Sequence, residues 1–155
     1  MHGVILAFLT LLFFLRVLGQ ALVAFAGVAL LPSMEQWFSG LIPYRILLAI
    51  QIIMLAGMIK ISAGVWRGEG FFAAPRPRWS RLLIGFSALY AGAMIARYVL
   101  TMMLKSEMRW FGGTIPIFFH FVLAGFTFTL GAYHKRGNRK RAERRTTLIE
   151  STHLP

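Results

Sequence analysis

Arg16, Gln20, Gln51, Arg97 and His120 are polar side chains set within the apolar runs of this chain, with Lys60 nearer the other end of its run. Two arginines and a histidine can hold an anion or polarise a carbonyl oxygen. A glutamine offers both a donor and an acceptor, so a pair can orient what the cations hold. Arg16 and Gln20 are four residues apart and share one helix face. The five glutamates and aspartates of the chain all fall outside the apolar runs. Arg16 and Arg97 therefore have no carboxylate at their own depth. Ionisable groups inside a bilayer are costly and mark either a ligand site or a paired structural contact. Both uses are open here. In one, Arg16, Arg97 and His120 bind an anionic or carbonyl-bearing ligand, oriented by Gln20 and Gln51. In the other, Glu35 or Glu107 folds down onto Arg97, while glutamine or backbone carbonyls serve Arg16.

Other chemistries find less support. His120 and His134 are fourteen residues apart, on roughly one helix face and about 21 Å apart along the axis. Two stacked haems need similar spacing, but each also needs a second axial ligand. No other apolar run carries a histidine, so haem would require a symmetric dimer and is not expected. There is no cysteine, which excludes disulfides, thiol redox chemistry and cysteine-ligated metal. No nucleophile–base pair, paired carboxylates, HExxH or phosphate loop is present, so no catalytic or metal-binding residue is assigned. Ser62, Ser87, Thr127 and Thr129 read as interhelical hydrogen-bonders. Lys60 can snorkel to an interface. Tyr90 and Tyr98 are within reach of the polar level.

The elements that carry these residues follow from composition. The chain has 155 residues, of which 57% are hydrophobic and 14% charged, with a mean hydropathy of +0.66. Four apolar runs, 4–27 (continuing toward Leu31), 46–66, 82–104 and 114–134, each match the roughly 20 residues that a spanning helix needs. The predicted fold is all-α, an integral membrane four-helix bundle made of two helical hairpins. Residues 1–134 form the transmembrane domain, and 135–155 form a basic tail expected to be disordered. The first run lacks a basic leader and a small-residue cleavage site, and reads as an uncleaved helix. The net charge of +12 then points to topology and anionic headgroups, not to nucleic acid.

The two hairpins have similar tips. Segments 33–43 and 106–116 both read S-x-x-x-W-F-[S/G]-G-x-I-P. Ser33 with Gln36 fits a capping box, and Met34, Trp37, Phe38 and Leu41 have the spacing of one apolar helix face. Two short interfacial helices are expected, acting as lids that carry Glu35, Trp37, Glu107, Arg109 and Trp110. The connection between the hairpins carries Arg67, Arg76, Arg78 and Arg81, and the tail carries seven more basic residues from Lys135 to Arg145. The tips carry only Arg45, Lys105 and Arg109. The positive-inside rule puts both termini in the cytoplasm and both lids outside, in a bacterial inner membrane. At 1.5 Å per residue, Gln51, Arg97 and His120 fall about 8, 10 and 9 Å below the outer ends of their helices. Ala88, Gly92 and Ala96, extended at Gly85, form a small-residue ridge for close helix contact, within the chain or across a homodimer.

Arg16-Val17-Leu18-Gly19 followed by Ala24-Phe25-Ala26-Gly27 resembles the first helix of DoxX-like membrane proteins. Ile50-Gln51-Ile52-Ile53-Met54-Leu55-Ala56-Gly57 is similar to their second, where a Glu is common in place of Gln51. The resemblance covers the first two helices. It implies a four-helix bundle serving as an accessory or quinone-linked subunit of a membrane redox system. The expected function is a binding or accessory subunit that holds a quinone or an anionic lipid-like amphiphile in an outer-leaflet polar layer. A quinone-linked oxidoreductase component and a small transporter are the alternatives.

Overall fold

The computed structural model describes residues 1–28, 31, 43–104 and 114–152. The described residues form four long helices: α1 (His2–Ala21), α2 (Tyr44–Arg67), α3 (Pro77–Leu104) and α4 (Thr114–Thr152). A single wide π turn, Leu22–Ala26, prolongs α1. No strand occurs among the described residues. All four helices are long and apolar enough to cross a membrane. The lid residues Glu35, Trp37, Glu107, Arg109 and Trp110 lie outside the described residues.

Helix ends follow local chemistry. Gly27 and Gly68 adopt positive φ angles of 56° and 71° where α1 and α2 stop, a conformation that costs glycine little. After Gly68, the Glu69 N–H returns to the Gly64 carbonyl at 3.0 Å. Composition predicts that the third helix begins near residue 82. It begins at Pro77 instead, because proline's missing N–H costs nothing at a first helical position. Arg78 and Arg81 are thus helical. α4 runs unbroken to Thr152. Extending an existing helix needs no new nucleus, and Arg139 pairs with Glu143 one turn on at 2.9 Å.

Packing places α1 and α4 in the middle. α1 contacts α2 on one side and α4 on the other, and α4 also contacts α3. Each neighbouring pair is antiparallel. Along α1 and α2, Gly3 lies against Trp66, Thr10 opposite Ser62 and Gln20 opposite Gln51. Along α1 and α4, His2 meets Tyr133, Leu9 meets Gly125 and Arg16 meets Phe119. Along α4 and α3, His120 meets Tyr90 and Gly131 meets Ile84. The buried core combines Leu6, Phe13 and Val17 of α1, Met58 and Val65 of α2, and Val122, Phe126 and Leu130 of α4. The outward faces carry Phe8, Leu11, Ile53, Leu82, Leu89 and Met103, all exposed.

α3 sits at the edge. It contributes Ser80 and Ser87 to the buried set, and Ser87 Oγ donates to the Ala124 carbonyl at 2.8 Å. Its small-residue ridge, Gly85, Ala88, Gly92 and Ala96, is exposed among the described residues. Ala49 and Ala56 of α2 are exposed as well. The close helix approach uses Gly131 instead. A Cβ there would lie 2.8 Å from Ile84 Cγ1 and 3.1 Å from the Ile84 backbone nitrogen. Gly131→Leu should therefore push α3 from α4 and cost about 1–3 kcal/mol, read as a lower unfolding midpoint in detergent. Gly57→Ala, with open space around the new methyl, should leave the midpoint unchanged or raise it.

Candidate functional site

The polar residues on α1 and α2 are buried. Gln20 is 0% exposed, Gln51 3% and Arg16 9%. The Gln51 Nε2 donates to Gln20 Oε1 at 3.0 Å, joining α1 to α2. That bond uses one donor and one acceptor. Gln20 Nε2 and Gln51 Oε1 remain buried without a partner. Whichever way the two amides are turned, the pair keeps one free donor and one free acceptor.

Arg16 lies one helical turn before Gln20 and reaches toward α4. Its guanidinium carbon stands 5.3 Å from the centre of the Phe119 ring, a cation–π distance. Its Nε is buried with no hydrogen-bond partner. Tyr44, at the start of α2, and Tyr90, on α3, are both within electrostatic range of Arg16. Tyr90 Oη and His120 Nδ1 share a hydrogen bond, and their rings meet edge to face at 5.7 Å. Arg16 and Arg97 both act on His120 through space. All four helices thus supply polar groups at one level. Arg97 differs from the others in being exposed. It borders the layer from the outside of α3, and its backbone carbonyl accepts from Thr101 Oγ1. The lid residues proposed to close this level lie outside the described residues.

Tyr44 was not among the residues singled out from sequence. Its place seven residues before Gln51, on the same helix face, is the signal that identifies it. A second polar pair was legible only in part. Thr10 Oγ1 and Ser62 Oγ are 3.0 Å apart across α1 and α2, both buried. Ser62 and Ser87 do bond between helices. Thr127 and Thr129 instead donate to carbonyls of their own helix, three or four residues back. Between the Gln20–Gln51 pair and the Thr10–Ser62 pair lie Phe13, Val17 and Met58, all buried. They separate the two polar levels with apolar side chains.

At the other end of the helices, His134 is 2% exposed and its Nδ1 has no partner. The connection 68–76 folds against this end, where Tyr133 Oη donates to the Ala73 carbonyl at 2.8 Å. His2 belongs to the first turn of α1 and faces Tyr133 at 6.0 Å. Histidine is thus not confined to one helix, as the apolar runs alone had indicated. Among the described residues, no three His, Cys, Asp or Glu side chains come together to hold a metal ion.

Chemically, the Arg16 level presents a cation, a free amide donor and a free amide acceptor, flanked by a tyrosine–histidine pair and an aromatic ring. It suits a small group with an acceptor oxygen, such as a carbonyl or an acid. No family model, curated protein or solved structure matches the chain.

The glutamine pair generates a direct prediction. Gln20→Leu or Gln51→Leu alone strands the remaining amide and should cost about 1–3 kcal/mol. The double variant removes both amides and should recover much of that loss in a double-mutant cycle. Strictly additive losses would mean that the two side chains do not interact.

Proposed function

We propose that this chain is an integral membrane protein that binds an amphiphile by its polar head in the layer formed by Arg16, Gln20 and Gln51. Tyr90 and His120 flank the head, and Arg97 attracts it from the rim. The ligand is a quinone, met through a carbonyl oxygen, or an anionic lipid-like molecule, met through its acid group. The observation that carries this reading is the set of three unpartnered atoms, Arg16 Nε, Gln20 Nε2 and Gln51 Oε1. A buried polar group without a partner costs about 1–3 kcal/mol in protein interiors. Three at one level, on two adjoining helices, are the expected mark of a site whose ligand completes the bonds.

Membrane insertion is supported by the four apolar helices and by the large side chains exposed on their outer faces. A bacterial inner membrane with cytoplasmic termini is our reading of the basic residues around positions 67–81 and 135–145. The partial likeness of α1 and α2 to DoxX-like proteins favours an accessory subunit. A redox partner would be needed for an oxidoreductase. Transport is less favoured, because Phe13, Val17 and Met58 separate the polar levels.

Two experiments test this reading. Extracts of the purified protein should contain an enriched amphiphile by mass spectrometry. Arg16→Met should lose it while keeping or raising the unfolding midpoint of the ligand-free protein, since it removes a buried charge whose Nε has no hydrogen-bond partner. A variant that instead fails to fold, with no enriched molecule in the wild type, would assign Arg16 to structure. For topology, Ala74→Cys is a clean probe in a chain without cysteine. It should react with an impermeant maleimide only after the cells are opened. Labelling of intact cells would reverse the orientation.

A further inference from the structure

A groove of 520 Å³ opens between the first turns of α3 and the middle of α4, lined by Pro77, Ser80, Arg81, Ile84, Gly85, Lys135 and Asn138. It is far from the glutamine–arginine layer. His120 and Lys135 are about 22 Å apart along α4 at 1.5 Å per residue. Its two cations come from different helices, and no acidic residue lines it.

The two cations sit at matching boundaries. Arg81 is the last basic residue before the apolar stretch of α3. Lys135 is the first basic residue after the apolar stretch of α4. In a membrane both would lie at headgroup level. The groove also opens beside the N-terminal turn of α3, where the helix dipole favours negative charge. Below the cations the groove is apolar, at Ile84 and Gly85. Further along α3, the small residues Ala88, Gly92 and Ala96 are exposed. Cβ atoms built at Gly85 or Gly92 would meet nothing within 4 Å, so these small residues leave space for a shallow trough along α3.

We infer that this groove seats one anionic phospholipid from the cytoplasmic leaflet. Its phosphodiester lies between Arg81 and Lys135, with the Asn138 side-chain amide as a further donor. One acyl chain follows the trough over Gly85, Ala88, Gly92 and Ala96. Basic pockets between helices at the cytoplasmic side are suited to such headgroups. This inference rests on membrane insertion, and not on the ligand of the glutamine–arginine layer. The basic continuation of α4, with Arg136, Arg139 and Arg144, adds diffuse attraction to the same leaflet. The groove would add a defined seat.

The test is lipid retention by native mass spectrometry of the full chain. The protein is released from nanodiscs of mixed phosphatidylglycerol and phosphatidylcholine, after carbonate extraction has established insertion. The wild type should retain one phosphatidylglycerol. Arg81→Gln with Lys135→Gln should weaken retention about thirtyfold, as expected for two basic contacts to an anionic lipid. Arg139→Gln with Arg144→Gln removes the same charge and should change retention little. Equal loss in both double variants would overturn the groove in favour of diffuse attraction. A dimer lacking bound phosphatidylglycerol would overturn it in favour of a second copy on the small-residue ridge. Gly92→Leu fills the trough without altering charge, and should weaken retention of long-chain but not short-chain phosphatidylglycerol. Loss of both alike, or of neither, would overturn the acyl path. Inorganic phosphate at millimolar concentration should not displace the lipid, and displacement would mean that the groove recognises free anion alone.

Discussion

A guanidinium carried on an apolar helix needs an acceptor, and no carboxylate in this chain lies within the apolar stretches. Arg16 meets that constraint only in part. The Phe119 face receives the cation at 5.3 Å, while Nε stays unbonded. A cation–π contact is worth about 0.5–2 kcal/mol, and placing arginine at the centre of a spanning helix costs about 2.5–3.5 kcal/mol or more. The ring alone does not balance the charge. The neighbouring glutamines do not either, since they spend one donor and one acceptor on each other. Among the described residues nothing completes the layer, and on the proposed reading an acceptor oxygen from a bound molecule does so.

The helix order makes that layer. α1 lies between α2 and α4, so its two polar residues can serve different neighbours: Gln20 turns to α2 and Arg16 to α4. α4 then relays the level to α3 through His120 and Tyr90. Below it, Phe13, Val17, Met58, Val122 and Phe126 form the apolar core that holds α1, α2 and α4 in register. α3 is joined to this core chiefly through α4, which leaves its ridge and the groove at its first turns open.

The helices themselves were legible from sequence, because four apolar runs of spanning length admit little else. The rise of a helix then carried depth: counting residues from the ends put Gln51, Arg97 and His120 near one level before any packing was known. What sequence did not carry was rotation. Arg97 sits at a suitable depth yet points outward, and the ridge of Ala88, Gly92 and Ala96 faces away from the other helices. Both outcomes depend on which face α3 turns toward α4. That choice is governed by Gly131 and by the Ser87 contact with the Ala124 carbonyl. The partnership of Thr10 with Ser62 was hidden for the same reason. Local composition failed more simply at the start of α3, which it put near residue 82 although the helix begins at Pro77.

The central claim is that a small molecule, and not another part of the chain, completes the Arg16 layer. Its most direct test puts a photoreactive probe on the ring that receives the guanidinium. Phe119→p-benzoylphenylalanine keeps an aromatic ring at that position, and irradiation in native membranes captures whatever lies beside it. The account predicts a peptide from α4 carrying a single, reproducible non-peptide mass, diminished when Arg16 is replaced by methionine. Cross-links that run only to side chains of α1, with no added non-peptide mass, would contradict it.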